Sequence, residues 1–196
     1  NNTITAPGGI LVAGGNYEMH RKFSVAGNAV IGAQISGNII TRTDTINVDR
    51  PLPPIMVAGI VDKWSRLKET NANLAGSGVQ GITVSGNVIS GFASVNPLDL
   101  SQVPAKYEQG SNETAQDILN RLKEVTDTAY GLNSFNWTWK GAEFAPDTIG
   151  KYMALGEKGP ASTGADNLYY EIDVITSKFD LNQNGTVDIV DMALLA

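Results

Sequence analysis

The chain contains no cysteine, which excludes disulfide bonds, thiolate catalysis, iron–sulfur clusters and cysteine-based zinc sites. It also lacks a long apolar run, because the longest, Ile55–Val61, is far shorter than the about 20 residues of a membrane-spanning helix. Charged residues make up only 17% of the 196 residues, and the net charge is -6. An acidic chain repels a phosphate backbone, so we expect no nucleic-acid binding. The short apolar runs predict no membrane insertion.

Small and neutral polar residues are abundant instead, with 21 Gly, 17 Asn, 15 Thr and 12 Ser. Residues 1–49 show short apolar segments separated by Gly-Asn turns, and Ile39–Val48 is rich in Thr and Ile, which is typical of strands. Leu168–Ile175 alternates in a way that places Leu168 and Tyr170 on one face. We therefore predict a mainly β fold, a sandwich or jelly roll, with one inserted amphipathic helix.

That helix is predicted over residues 111–130. Ser111 is a candidate N-cap, and Gly131 follows the last residue of the periodic pattern. Apolar residues recur at helical spacing and form one stripe: Ala115, Ile118, Leu119, Leu122, Val125 and Ala129. A single helix among strands indicates an element that packs across a sheet or lies in a long connection.

A pattern of a small residue, Gly, Asn and two apolar residues occurs at 26–30, 36–40 and 85–89. Stacked coils of a β-solenoid would produce it, and so would three unrelated turns, since Gly-Asn is common in turns. The intervals of 10 and 49 residues are not a constant period. We therefore favour three separate turns.

The C-terminal segment carries the one motif with definite chemistry. Oxygen-bearing side chains occupy positions 1, 3, 5, 9 and 12 of an EF-hand-type loop, with glycine at position 6. These donors are Asp180, Asn182, Asn184, Asp188 and Asp191, and Thr186 at position 7 would add its backbone carbonyl. Calcium binds about six to eight oxygen ligands, so the segment predicts a Ca²⁺ site. Because Asn182 and Asn184 are neutral ligands, we expect its affinity to be modest.

This segment resembles one calcium-binding half of a type I dockerin, an EF-hand-like loop with Asp at its last position followed by an apolar helix. The resemblance covers residues 180–196 and implies a division into a β-rich domain, 1–178, and a dockerin-like tail, 179–196. It also implies an exported or cell-surface protein of a bacterium or archaeon. A dockerin has two such halves, so we expect a cohesin-like partner only where a second half is present.

Phe135, Trp137 and Trp139 alternate, so a strand would place their rings on one face. Carbohydrate-binding modules use aromatic rows of this kind, because rings stack on the apolar faces of sugars. Large aromatic residues in a strand also form cores. We favour a core or interface role and keep a carbohydrate platform as the alternative.

No catalytic set is recognisable. Glycoside hydrolysis requires two carboxylates facing a cleft, and the spacing of Glu108, Glu143, Asp147 and Glu171 selects no pair.

These observations favour a non-catalytic, extracellular, calcium-binding structural or adhesive protein, such as a surface-layer, fibre or matrix subunit. Its expected partners are further copies of itself or another surface or scaffold protein. The alternative is a carbohydrate-binding module or a secreted polysaccharide-acting enzyme with a dockerin-like assembly tail.

Overall fold

The computed structural model describes residues 1–6, 8–19, 23–28, 30–43, 53–61, 79–92, 94, 96–162, 167–179, 181 and 193–194. Within them lie fifteen strands, one long helix and two 3₁₀ turns, at Leu100–Gln102 and Pro160–Ser162. The strands and the helix α1 are β1 (Thr3–Ala6), β2 (Ile10–Met19), β3 (Phe23–Asn28), β4 (Val30–Ile31), β5 (Gln34–Ser36), β6 (Ile39–Arg42), β7 (Ile55–Val61), β8 (Val79–Gln80), β9 (Thr83–Ser85), β10 (Val88–Ser90), β11 (Leu98–Asp99), β12 (Lys106–Glu108), α1 (Ala115–Tyr130), β13 (Phe135–Trp139), β14 (Gly150–Lys158) and β15 (Asn167–Ile175).

Three segments of the N-terminal half run parallel and lie one above another. β1 pairs with β6, and β6 pairs with β10. β4 pairs with β8 and β5 with β9 in the same sense, so residues 30–41 each lie beside the residue 49 positions later. We call β1 the first rung, residues 30–42 the second rung and residues 79–90 the third rung, and the three together the coil stack.

Glycines at matching positions make the corners of the second and third rungs. The φ angles are 70° and 59° at Gly32 and Gly81, and 64° and 61° at Gly37 and Gly86. A residue with a Cβ rarely adopts this left-handed conformation, so glycine lets both rungs turn at the same two points. The chain can therefore follow the same path twice.

The interior of the coil stack is aliphatic. Ile40 is fully buried and Ile35 is 5% exposed in the second rung. They pack with the β7 side chains that point to the same side, Ile55 and Val57, and with Val79 and Ile82 of the third rung. Burial of these branched side chains is the main term that stabilises the stack.

The Gly-Asn pattern therefore does report stacked segments, and our preference for three unrelated turns is wrong for two of its three occurrences. Asn38 and Asn87 occupy equivalent corners. The third member of the set is Asn2, 36 residues before Asn38. The Gly27-Asn28 pair lies instead at the end of β3, which pairs antiparallel with β2.

The coil stack continues into an eight-stranded sheet, in which the main path is β13-β14-β15-β7-β2-β3. β7 is the junction: β2 pairs with it in parallel on one side, and β11 and β15 share its other side. β12 adds in parallel to the end of β15. Eight strands, from β2 near the N-terminus to β15, thus belong to one mixed sheet.

The helix α1 begins later than predicted. Thr114, not Ser111, is its N-cap: the Thr114 hydroxyl accepts a hydrogen bond from the Asp117 N–H at 3.1 Å, and the Asp117 carboxylate accepts one from the Thr114 N–H at 3.1 Å. This capping box fixes the first turn. Gly131 ends the helix, as predicted.

The predicted apolar stripe of the helix faces the sheet. Ile118, Leu122 and Ala129 are buried in the larger core, and Ala115, Leu119 and Val125 pack against its edge. The rest of that core comes from β7, β11, β12, β13, β14, β15 and the segments between them.

Within the described residues, the prediction of a mainly β fold with an amphipathic helix among the strands is confirmed, and so is a strand at Leu168–Ile175, which the structure extends to Asn167. The sandwich or jelly roll is not confirmed. Those folds are built from antiparallel pairs, whereas the strands of the coil stack pair in parallel. Of the predicted strand Ile39–Val48, the structure shows Ile39–Arg42, and residues 44–48 lie outside the described part.

Candidate functional site

The predicted calcium ligands lie outside the described residues. This holds for all six of them: Asp180, Asn182, Asn184, Thr186, Asp188 and Asp191. Of the same segment, Leu181, Ala193 and Leu194 are described; all three are exposed, and the last two are helical. No group of three or more His, Cys, Asp or Glu elsewhere in the described part could hold a metal ion. The calcium site thus stays a prediction from the donor chemistry of the tail.

The predicted aromatic row does lie on one strand, β13, with its first two rings in the core. Phe135 is 2% exposed and Trp137 is 7% exposed. The indole Nε1 of Trp137 donates to the buried Thr126 hydroxyl of α1 at 3.3 Å. Trp139 is partly buried and stacks on Phe144, with ring centroids 6.0 Å apart. Phe135 and Trp137 therefore lie in the core, and Trp139 packs against its edge.

A groove with a mostly apolar lining and several amide side chains lies over this part of the core. It has a volume of 310 Å³ and runs between α1 and β13. Amide side chains line it, including Gln116, Asn120, Asn133 and Asn136, and the Trp137 ring forms part of its wall. Gln116 Nε2 donates to Asn120 Oδ1 at 2.8 Å, which orients both amides. Amides beside an aromatic ring suit a neutral ligand with hydroxyl groups.

Two of the four carboxylates that the sequence offers for catalysis are held in ion pairs. Lys151 Nζ lies 2.9 Å from Glu171 Oε1 and 2.8 Å from Asp173 Oδ1, across the β14–β15 pair. The hydrogen bond to Asp173 is the largest cause that raises the pKa of Lys151, and the hydrogen bond to Glu171 is the second. Glu108 lies 3.9 Å from Lys178. The Lys151 contacts join β14 to β15, and none of these ion pairs indicates a catalytic role.

The corner of the coil stack carries a ladder of three asparagines. The Asn2 backbone N–H and Nδ2 both donate to Asn38 Oδ1 at 3.1 Å. The Asn38 backbone N–H and Nδ2 donate to Asn87 Oδ1 at 3.0 and 2.9 Å. Asn87 Nδ2 turns back and donates to the Ile35 carbonyl at 2.8 Å. Hydrogen bonds between equivalent side chains fix the register of the rungs.

The outer face of the coil stack is uncharged. Thr3, Ile39 and Val88 lie side by side in one row, and Thr5, Thr41 and Ser90 in the next. Ile39 is 47% exposed and Val88 is 62% exposed. Residues 30–41 and 79–98 contain no charged side chain. A neutral, regular β surface is suited to contact with another β surface or a neutral polymer.

No protein-family model matches the chain, and no curated protein and no solved structure is significantly similar to it. No helix in the described part of the chain is long and apolar enough to cross a bilayer. The asparagine ladder is the feature of the candidate surface that the sequence analysis missed. Its signal was the length of the repeat around Gly-Asn, which extends over twelve residues at an offset of 49.

Proposed function

We propose that this protein is a non-catalytic structural or adhesive subunit of an extracellular or cell-surface assembly, with a calcium-binding tail. The observation that carries the proposal is the coil stack, an array of parallel strands in register in which Arg42 is the one charged residue. Such an array offers a repeating surface and a strand edge, which are means of association.

Calcium has a structural role in this proposal. The tail would hold the ion through the carboxylates Asp180, Asp188 and Asp191 and the amides Asn182 and Asn184, with the Thr186 carbonyl completing the set. Binding to the folded tail alone would raise stability with the logarithm of the free Ca²⁺ concentration. Extracellular calcium would thus keep the tail ordered for contact with another copy or with a scaffold protein. A cohesin-like partner requires a second half-motif.

The calcium proposal is tested by isothermal titration of the chelator-treated chain with Ca²⁺ and with Mg²⁺. We expect one Ca²⁺ per chain, weaker Mg²⁺ binding, and a melting temperature that rises with added Ca²⁺. Asp180→Ala and Asp191→Ala should abolish both signals. The exposed Asp147 lies outside the tail, and Asp147→Ala should leave both unchanged. A titration with no heat of binding, together with a melting temperature that calcium does not change, would contradict the calcium part of the proposal.

The structural role is tested by negative-stain microscopy of the purified chain with calcium and with chelator. Ordered assemblies in calcium are the expected result. Dispersed monomers in both conditions, at all protein concentrations tried, would contradict a structural subunit.

The amide-lined groove favours carbohydrate binding as the second candidate function. Its four amides could bond to sugar hydroxyls, and the apolar part of its lining could contact the apolar face of a sugar ring. Affinity electrophoresis in gels containing neutral polysaccharides would reveal retardation of the chain. Gln116→Ala and Asn136→Ala should remove it, whereas Asn112→Ala, at an exposed position outside the groove, should not. The same screen should include the release of reducing ends, which would indicate a polysaccharide-acting enzyme.

A further inference from the structure

The groove between α1 and β13 presents a free hydrogen-bond acceptor and a free donor one helical turn apart. Gln116 Nε2 donates to Asn120 Oδ1 at 2.8 Å, and both residues line the groove. An amide side chain carries one acceptor oxygen and two N–H donors. The bond therefore leaves Gln116 Oε1 to accept and Asn120 Nδ2 to donate, and no other group in the described part of the chain hydrogen-bonds to either atom. We call these two atoms the amide pair.

The lining of the groove carries no uncompensated charge. Among the described residues that line it, Lys123 is the one with a charge, and it forms an ion pair with Asp127. Asp127 also accepts hydrogen bonds from the N–H and the hydroxyl of Ser134, at 3.2 and 3.1 Å. A charged ligand would lose its hydration in the groove without gaining a partner of opposite charge. The lining therefore favours a neutral ligand.

Apolar surface accompanies the amide pair in the same groove. Leu119 of α1 is partly buried and Pro160 is exposed, and both line the groove. The turn that begins at Pro160 is anchored to the start of β13, because the Gly159 N–H donates to the Ser134 carbonyl at 2.6 Å and the Ser162 hydroxyl donates to the same carbonyl. This wall is thus held in place before a ligand binds, which lowers the cost of binding.

We propose that the groove binds the acetamido group of an N-acetylated hexosamine in a neutral polysaccharide. This inference rests on carbohydrate binding, the second candidate function, and names the sugar. The acetamido N–H donates to Gln116 Oε1, its carbonyl accepts from Asn120 Nδ2, and its methyl group contacts the apolar lining. The N–H and C=O of a secondary amide point in opposite directions, so their partners must be separated, as are two residues about 6 Å apart along α1.

Two further amides favour a sugar over an extended peptide as the source of the acetamido-like group. Asn133 and Asn136 are both exposed and line the groove beside β13. The hydroxyl groups of a sugar ring can bond to these amides, whereas the backbone of a peptide offers no hydroxyl group.

A second groove extends the binding surface beyond one sugar ring. It has a volume of 480 Å³ and shares Asn120 and Lys123 with the first groove. Leu132, which is 82% exposed, lines it and offers an apolar contact to a neighbouring sugar ring. We therefore expect a polymer to bind more tightly than a single sugar.

Three β-1,4-linked tetramers, titrated calorimetrically into the full chain in chelator, test the acetamido group. The tetramers of N-acetylglucosamine, glucosamine and glucose share one linkage and differ in the substituent at carbon 2. We expect the acetylated tetramer to bind about tenfold more tightly than the glucose tetramer, which leaves the amide pair without its partners. The glucosamine tetramer is charged, and we expect it to bind no better than the glucose tetramer.

The outcomes separate this inference from carbohydrate binding itself. Equal affinity for the acetylated and glucose tetramers would overturn the acetamido site and leave carbohydrate binding in place. Tightest binding of the glucosamine tetramer would show attraction of an amine to the acidic chain and would also overturn the site. If no tetramer binds, the acetamido site is wrong, and if no neutral polysaccharide retards the chain in the gels either, carbohydrate binding is wrong as well.

An acetylated trialanine amide distinguishes a sugar from a peptide. It carries the same secondary amide and methyl groups without a sugar ring. We expect no measurable binding of this peptide. Affinity equal to that of the acetylated tetramer would show a peptide site and contradict the sugar.

A leucine substitution tests whether the amide pair makes the selection. Gln116→Leu removes the acceptor, so its affinity for the acetylated tetramer should fall to that for the glucose tetramer. Gln102→Leu is the matched control, because Gln102 is exposed and lies outside both grooves. It should keep the about tenfold preference. The ratio of the two affinities is the measurement, since a general disturbance of the fold would weaken both tetramers. An unchanged ratio in Gln116→Leu would contradict the proposed contact.

Discussion

Asn38 donates two hydrogen bonds to one oxygen of Asn87, a residue 49 positions later in the chain, from its backbone N–H at 3.0 Å and its Nδ2 at 2.9 Å. Its own Oδ1 accepts two from Asn2. Asn38 is 5% exposed, so these bonds are shielded from water. One side chain therefore connects all three rungs of the coil stack and fixes their register.

We predict that Asn38→Ala destabilises the chain by about 2 kcal/mol, because it removes the acceptor for Asn2 and a shielded bond to Asn87. Urea denaturation monitored by circular dichroism provides the measurement. Thr41→Val is the control: it removes the more exposed hydroxyl pair with Ser90, 3.0 Å long, and should cost less than about 0.5 kcal/mol. If the two variants lost the same free energy of unfolding, the hydrogen bonds of the ladder would stabilise the chain no more than the exposed hydroxyl pair does.

The repeat that contains Asn38 and Asn87 can be recognised in the sequence when segments of twelve residues are compared. Residues 30–41 read VIGAQISGNIIT and residues 79–90 read VQGITVSGNVIS, with glycine, serine and asparagine in the same places. A short Gly-Asn pattern is indistinguishable from turns, and Asn2 lacks the preceding glycine of the other two. The long interval between the copies defeats a search for a constant period. Pairing partners so distant in sequence are set by tertiary packing, which local patterns do not encode.

Strong local patterns gave the correct elements. Periodicity located α1 and its buried stripe, and alternation located β15. The helix start was misplaced because Ser111 and Thr114 are both acceptable caps, and the reciprocal bond with Asp117 decides between them. The alternation of aromatic residues in β13 predicted correctly that their rings share one face of the strand. It did not predict that this face is buried, because the burial depends on the packing of α1 over the strand.

Thr114→Ala should lower stability by about 1 kcal/mol, since it removes the side-chain acceptor of the capping box. For a chain of this size, that change lowers the melting temperature by about 2–4 °C. Thr114→Ser retains the hydroxyl and should stay close to the parent. Differential scanning calorimetry of the three proteins checks this. A loss as large in the serine variant would mean that the methyl group, not the cap, matters.

Asp127 makes the stability of the folded chain depend on pH. Burial alone would raise the pKa of its carboxyl group, but hydrogen bonds from Lys123, the Ser134 N–H and the Ser134 hydroxyl outweigh it and hold the pKa below its usual value. A group with a lowered folded pKa stabilises the protein above the unfolded pKa, about 3.9, and loses that effect as the pH falls through the folded value.

Asp127→Asn should therefore cost about 1–3 kcal/mol at pH 7, and the difference from the parent should shrink below about pH 4. Urea midpoints measured at several values between pH 3 and pH 7 follow this difference. Asp147→Asn removes the same formal charge at an exposed position and should be nearly neutral throughout. A constant difference between parent and Asp127→Asn at every pH would contradict the mechanism.

The contact between α1 and β13 depends on a buried hydrogen bond from Trp137 Nε1 to the Thr126 hydroxyl, 3.3 Å long. Thr126 is fully buried, and its hydroxyl also lies 3.0 Å from the Leu122 carbonyl. Thr126→Val keeps the shape of the side chain but leaves the indole N–H without an acceptor, so it should cost about 1–3 kcal/mol. In a Trp137→Phe background that donor is absent, and the same substitution should cost much less. A double-mutant cycle of unfolding free energies measures the difference. An equal cost in both backgrounds would show that the hydroxyl acts within the helix alone, and that apolar packing by itself joins α1 to the strand.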